Sequence, residues 1–384
     1  MVKVMKVLVL TLLAAAAALA SDQQQLALLL RAQTDFDRVM LPAVPQLRDT
    51  AACIQSEAAL APVAPPEEQA QVHFRKGYCT LAGAAITGEA AGFRAAAAEF
   101  DQAGVPVLAG IARLEAHEPA PDLAKAGCSA AVMSPQLCQQ WMAVGREWLG
   151  WEALRQGDLD AAARDLSAAP GWSAWVAGQQ AFRGGQYAAA ATDDRNAIGA
   201  WQSRSANSLR DRLAPPVDLG EAYTALGGAQ LLAGDPAAAI ASLTQAAKEN
   251  PANARAFYLR ARAQEISGHP EAAEADYSLA SRAAFAGAKD LASGEAHLYR
   301  GILLYRRRQY EQAEDEFASA LNFDIPAALR ADASAWRRLS AVISGSCGAS
   351  RAALEQAIPS VSPYFPKDEA RAALAACGSL SSRP

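Results

Sequence analysis

Residues 227–251 read GGAQLLAGDPAAAIASLTQAAKENP. Two alanine-rich runs meet at Gly234-Asp235, where glycine can take the positive φ that ends a helix. The runs therefore fold back on one another as an antiparallel helix pair. Within the stretch, Gly227 is followed at nine, twelve, sixteen and nineteen positions by Pro236, Ala239, Leu243 and Ala246, and Pro251 closes the unit. Two antiparallel helices approach closely where both present small residues, and a large residue one turn away fills the gap beside the crossing.

The same arithmetic recurs along the chain. Thirty-four residues on come Ala261, Pro270, Ala273, Tyr277 and Ala280, and a third unit carries Gly301, Tyr310, Ala313, Phe317 and Ala320. Upstream stand Gly150, Leu159, Ala162, Leu166 and Ala169, then Gly178, Tyr187, Ala190, Asp194 and Ala197, with a polar residue at the large position. A fainter copy is Ala84, Phe93, Ala96, Phe100 and Ala103. Further turns are expected at Gly157-Asp158, Gly184-Gly185-Gln186 and Gly268-His269.

These units resemble the tetratricopeptide family, whose helix-turn-helix repeats have a period of about 34 residues. The resemblance implies an all-α, right-handed superhelical solenoid of antiparallel helix pairs, closed by helical N- and C-terminal caps. It covers residues 220–327 with the full motif, 143–204 with departures, and 77–110 as a degenerate copy. The short step from Gly150 to Gly178, the long one from Gly178 to Gly227, and Pro215-Pro216 between them make the array irregular. The expected organisation is a leader over 1–20, an N-terminal helical region over 21–140, irregular repeats over 141–213, well-matched repeats over 214–327, and a helical cap and tail over 328–384. The cap is read as helices over Ala328–Ser344, Arg351–Ala357 and Asp368–Ala376, with a polar tail from Gly378. A solenoid needs such an end because its last repeat otherwise leaves an apolar face in water.

The chain of 384 residues is 52% hydrophobic, much of it alanine, with few of the Val, Ile, Thr and aromatic runs that make strands. A formal charge of -5 without a concentrated basic stripe argues against nucleic acid. At the N-terminus, Lys3 and Lys6 precede an apolar run from Val7 to Ala20 that ends in Ala18-Leu19-Ala20 before Ser21. That order of charge, apolar stretch and small-residue site describes a secretory signal peptide. The run falls short of the roughly 20 residues of a spanning helix, and no later segment is long and apolar enough, so the mature chain is expected without a membrane span. The expected location is outside the cytoplasm, periplasmic or extracellular if bacterial.

Six cysteines fit that compartment. Cys53 and Cys79 lie equally far on either side of Pro66, and Cys347 and Cys377 on either side of Ser362, so each pair is placed to staple a helical hairpin. Cys128 and Cys138 flank Met133-Ser134-Pro135 and close a smaller loop by the same logic. No Cys-x-x-Cys spacing occurs and no histidine lies near a cysteine, which argues against a redox or metal site.

Motifs for chemistry are missing. His117-Glu118 begins like a zinc-protease motif but continues Pro119-Ala120-Pro121, which ends the helix that motif requires. There is no glycine-rich phosphate loop and no Gly-x-Ser-x-Gly turn. Neither cofactor nor metal is expected, and the reading is a non-catalytic scaffold for a protein or peptide partner. The alternatives are an envelope enzyme acting on polysaccharide, with tryptophans as sugar platforms, and self-assembly along the solenoid axis.

In the tetratricopeptide family the first helix of each unit lines the concave side. That resemblance assigns partner contacts to Trp151, Trp172, Trp175, Arg255, Tyr258, Arg262 and Tyr305, with Glu147, Leu154, Phe182, Glu265 and Leu298 on the same face. Tryptophan, tyrosine and arginine often dominate binding energy because they join large area to a directional polar group. The tryptophans are equally placed to fill space between units. The lysines and asparagines with which some members bind a chain-end carboxylate are replaced here by Thr224 and Gly228.

Overall fold

The computed structural model describes residues 23–42, 45–121, 123–127, 132–204, 208–283, 291–363 and 365–380. Among them all regular structure is helical, without a strand, and no helix is long and apolar enough to cross a membrane. The leader over residues 1–20 and the Cys128–Cys138 pairing lie outside the described residues. The chain divides into two compact units: the residues up to Val176 together with Gly199–Val217, and Ala177–Ile198 together with Asp218 onward.

The first unit starts with α1 (residues 23–40), α2 (Leu47–Leu60), α3 (Gln69–Thr87), α4 (Ala90–Gln102) and α5 (Pro106–Glu115). After a 3₁₀ turn at Leu123–Lys125 come α6 (Pro135–Gln156) and α7 (Leu159–Asp165). It also holds the start of α8 (Pro170–Arg183), the end of α9 (Tyr187–Ser203) and α10 (Leu209–Arg212). The core gathers Phe36, Phe74, Tyr78, Phe100 and Trp141, with Tyr78 meeting Phe36 at 5.9 Å and Trp141 at 6.1 Å between ring centroids. Such edge contacts add to the area that aromatic side chains remove from water. Cys53 and Cys79, both fully buried, are bonded between α2 and α3. Helix α6 runs unbroken across residue 140.

The degenerate copy has another register from the one its spacing suggests. The turn between α3 and α4 is at Gly88, with φ of 73°. Residues equidistant from that turn face each other, so the Phe100 ring lies over Gly77, where an added Cβ would come within 3.0 Å of it. Ala84, the expected partner of Phe100, instead packs on Gly92.

The second unit holds the rest of α8 and α9, then α11 (Leu219–Leu232), α12 (Pro236–Glu249), α13 (Ala254–Ile266), α14 (Pro270–Ala283), α15 (Leu291–Arg306) and α16 (Tyr310–Ala320). It ends with α17 (Ala327–Ile343), α18 (Cys347–Ala357) and α19 (Lys367–Leu380). Helix α19 continues past Gly378, where a tail was expected. Asp218, Asp235 and Asn253 cap α11, α12 and α13, accepting from the N–H of Glu221, Ala238 and Ala256 at 2.9, 3.0 and 3.1 Å. The small-to-large rule is visible as contact: a Cβ on Gly227 would overlap Leu243, and one on Gly301 would stand 2.6 Å from the Phe317 ring. In the first unit Gly150 and Leu166 meet in the same way. The cap buries Trp336, stacked on Phe317 at 6.0 Å and edge-on to Phe365 at 5.2 Å, and Cys347 and Cys377 are bonded between α18 and α19.

The expected turn glycines Gly157, Gly185, Gly234 and Gly268 all have φ between 72° and 85°. Between α15 and α16 the same left-handed place is held by Arg308, with φ of 62°. A side chain there costs about 1–2 kcal/mol that glycine avoids, offset in part by the larger backbone freedom glycine loses. Arg308→Gly is therefore expected to stabilise the second unit by about 1 kcal/mol, read as a higher midpoint of chemical denaturation. An unchanged or lower midpoint contradicts this account of the turn.

Candidate binding site

Helix α6 is capped by Ser134, whose hydroxyl accepts from the Leu137 N–H at 3.2 Å. Its far end carries Trp148, Trp151 and Arg155 at spacings of three and four, which places them along one face. Trp148 is buried, and its indole N–H donates to the Leu213 carbonyl at 2.9 Å. Held in that way, it presents its edge to Trp151, with ring centroids 5.2 Å apart. The Arg155 guanidinium covers the Trp151 ring at 4.9 Å.

Trp151 is thus half-buried and forms the wall of a cavity of about 680 Å³. The chain leaves α5 through His117, which has φ of 60°, and Glu118-Pro119-Ala120-Pro121 after it also line the cavity. Leu114, Leu123 and Pro216 complete an apolar lining, and His117, Glu118, Glu152 and Arg155 are the polar members. The His117-Glu118 pair, which sequence could liken to a zinc motif, stands outside α5 and belongs to this lining. Among the described residues no group of three or more His, Cys, Asp or Glu is placed to hold a metal ion.

The other expected contact residues fall into two arrangements. Trp172 is only 5% exposed and meets Trp201 edge-on at 5.0 Å, while half-buried Trp175 lies 5.8 Å from the same ring. Trp172 is therefore a space-filling residue and offers no area to a partner. Tyr305, also 5% exposed, is a core residue against Trp336 at 4.9 Å, and Leu298 is buried as well. Both corrections have one cause: Trp172 and Tyr305 are packed against aromatic rings of other helices, Trp201 of α9 and Trp336 of α17.

Tyr258 and Arg262 come together on α13. The Arg262 guanidinium lies over the Tyr299 ring at 4.1 Å and donates to Glu265 at 3.1 Å. Glu265 also accepts from the Tyr277 hydroxyl at 3.0 Å and from Arg306 at 2.7 Å. Burial, with Glu295 and Tyr299 nearby, pushes the Tyr258 hydroxyl far above its ordinary range. This network ties α13 to α14 and α15, so Arg262 and Glu265 already have partners within the fold. Arg255 is exposed and paired with Glu221 at 3.5 Å.

No family model and no curated protein matches the sequence. Among solved structures, the chain is similar to a thermophilic TPR protein from Thermus thermophilus, with 16% identity, 50% of this chain and 98% of that one covered, and a TM-score of 0.37. It is similar to a tetratricopeptide repeat protein from Parabacteroides merdae, with 15% identity, coverages of 64% and 94%, and a TM-score of 0.39. A third similarity is to a signal transduction ATPase with numerous domains, bearing a tetratricopeptide repeat sensor, from Pyrococcus horikoshii, with 14% identity, coverages of 86% and 52%, and a TM-score of 0.46. On the packing of its own hairpins, the fold is tetratricopeptide-like.

Within this tetratricopeptide-like fold, sequence reasoning missed Trp148 and the residues 117–121 that line the same cavity as Trp151. Trp148 carried a usable signal, since it lies three residues from Trp151 on the same helix face. The loop carried none, because prolines there read equally well as a simple helix break.

Proposed function

We propose that the protein is a non-catalytic protein-interaction scaffold, working outside the cytoplasm, whose first unit takes up an extended partner segment through one large apolar side chain. The observation that carries this reading is the cavity walled by Trp151. Its volume of about 680 Å³ lies in the range of ordinary ligand sites, and an apolar lining with a few polar groups suits an apolar side chain flanked by polar backbone. A tryptophan at the wall is the residue type most often found to dominate such contacts. The extracytoplasmic setting is supported by the composition of residues 1–20 and by the two disulfides.

A photoreactive amino acid at Ala120, with crosslinking in the producing cell and identification of the attached peptide, tests the proposal. With a partner in hand, Trp151→Ala is expected to weaken binding by about 30-fold, as for a hot-spot residue worth about 2 kcal/mol. Ala120→Phe fills the cavity without removing any packing and should weaken it at least about tenfold. A partner that binds both variants as tightly as the wild type sinks this site, and capture of soluble glycans with release of shortened products replaces the scaffold reading with an enzyme.

A further inference from the structure

The second unit ends on a disulfide placed unlike the one described in the first. Cys53 and Cys79 sit in the middle of α2 and α3 and are fully buried. Cys347 is the first residue of α18 and half-buried, between exposed Ser346 and Gly348, while its partner Cys377 in α19 is 4% exposed. A reductant therefore meets one accessible sulfur here and none at the other bond. The separation of 30 residues carries no redox signature; the position at a helix start does.

Thiol–disulfide exchange needs an accessible sulfur and a good leaving thiolate. The first N–H groups of a helix have no intrahelical partners and favour negative charge. In α18 the cap residue Ser346 makes no side-chain hydrogen bond to them, so they are free to donate to a thiolate at Cys347. Reduction of this bond thus ends on a stabilised anion. Cys53 and Cys79, each inside its helix, have no such support.

Beyond the bond, little holds α19. The chain before it is fixed separately: the Ser362 N–H donates to Asp332 at 2.8 Å, and Phe365 packs edge-on to Trp336 at 5.2 Å. Within α19, Ala370, Leu374 and Cys377 are the buried members among the described side chains. Glu369 approaches the Tyr305 hydroxyl, which has no hydrogen-bond partner. A helix of 14 residues is marginal by itself in water, so α19 depends on these few contacts and on the disulfide.

We propose that Cys347–Cys377 is a redox latch: a dithiol opens it in the folded protein while Cys53–Cys79 stays closed, and α19 then lets go of the cap. The thiolate of the reductant attacks the Cys347 sulfur, forming a mixed disulfide and expelling Cys377, which takes up a proton. The second thiolate of the reductant closes its own disulfide and expels Cys347 as the thiolate at the start of α18. Two electrons pass from the dithiol, which is oxidised, to the bond, which is reduced. The latch shares no residue with the cavity at Trp151, so it stands whether or not that cavity takes a peptide.

The test incubates the folded mature chain with dithiothreitol, blocks thiols at intervals with iodoacetamide, and follows the labelled peptides by mass spectrometry. Cys347 and Cys377 are expected to be labelled at least about tenfold faster than Cys53 and Cys79. Hydrogen exchange after that first reduction should rise in α19 and stay unchanged in α2, α3 and α17. Gly348 is exposed, and a Cβ there would meet nothing within 4 Å, so Gly348→Asp places a carboxylate in the same first turn without a clash. It competes with the thiolate for the N–H groups and should lower the reduced fraction, at a fixed ratio of reduced to oxidised dithiothreitol, by about threefold, with Gly348→Asn close to wild type. The proposal is overturned if the two bonds open together or Cys53–Cys79 opens first, if α19 exchanges no faster after reduction, or if Gly348→Asp and Gly348→Asn are reduced alike.

Discussion

Asp194→Leu is expected to stabilise the protein by roughly 4 kcal/mol at pH 8, and by much less at pH 4. Asp194 occupies the place that Leu243, Leu166 and Phe317 fill in other repeats: it is 1% exposed, and a Cβ on Gly178 would overlap its Oδ1, which has no hydrogen-bond partner. Burial, reinforced by Asp193, pushes its carboxyl up to about 7 from an ordinary 3.8. The folded state therefore holds this proton more tightly than the unfolded chain. Below 3.8 both states are protonated and the carboxylate costs nothing; from there to 7 the cost grows, and above 7 it is complete. Each tenfold change in proton affinity is worth about 1.4 kcal/mol, which sets the magnitude. Leucine removes the charge and restores the packing that the repeat uses elsewhere. Denaturation midpoints of both proteins at several pH values between 4 and 8 provide the check, and parallel curves for wild type and variant contradict it. Glu57 has the same sign: fully buried and raised by burial to about 7 against the pull of Arg75, it also favours the folded state at acid pH.

Replacing Cys53 and Cys79 together by alanine is expected to cost about 3.5 kcal/mol, because the bond closes 26 residues and the unfolded chain regains that loop's freedom. The loss should appear as a lower denaturation midpoint for the variant. Reductant, added to unfolded protein before refolding, should abolish the difference between wild type and variant, since it removes the Cys347–Cys377 bond from both. A loss below about 1 kcal/mol means that the α2–α3 hairpin is held by its core and not by the bond. The proposed site beyond the cytoplasm makes sense of this dependence, since thiols there are oxidised.

Much of the fold could be read before any coordinates because its decisive contacts are local. Gly227 meets Leu243 sixteen residues away across one tight turn, and the turn glycines and capping Asp and Asn residues act within three or four residues of themselves. Cys53 with Cys79 and Cys347 with Cys377 obey the same symmetry about a turn. Where that symmetry was centred on the wrong residue, as for Ala84 and Phe100, the register failed, although the helices themselves were placed correctly.

By itself, then, the sequence determined the helical hairpins, their small-to-large packing and the pairing of Cys53 with Cys79 and of Cys347 with Cys377, all of which follow from spacing along the chain. Only the tertiary structure decided which aromatic residues are exposed and where cavities lie. Trp148 meets the Leu213 carbonyl across 65 residues, Gly171 packs under Trp201, and Glu147 faces Arg204 and Arg210. Those contacts depend on how several helices stack, and stacking angles are set by the sum of many side chains. No single spacing encodes them, so Trp151 became a cavity wall while Trp172 and Tyr305, read from the same helix face, became core.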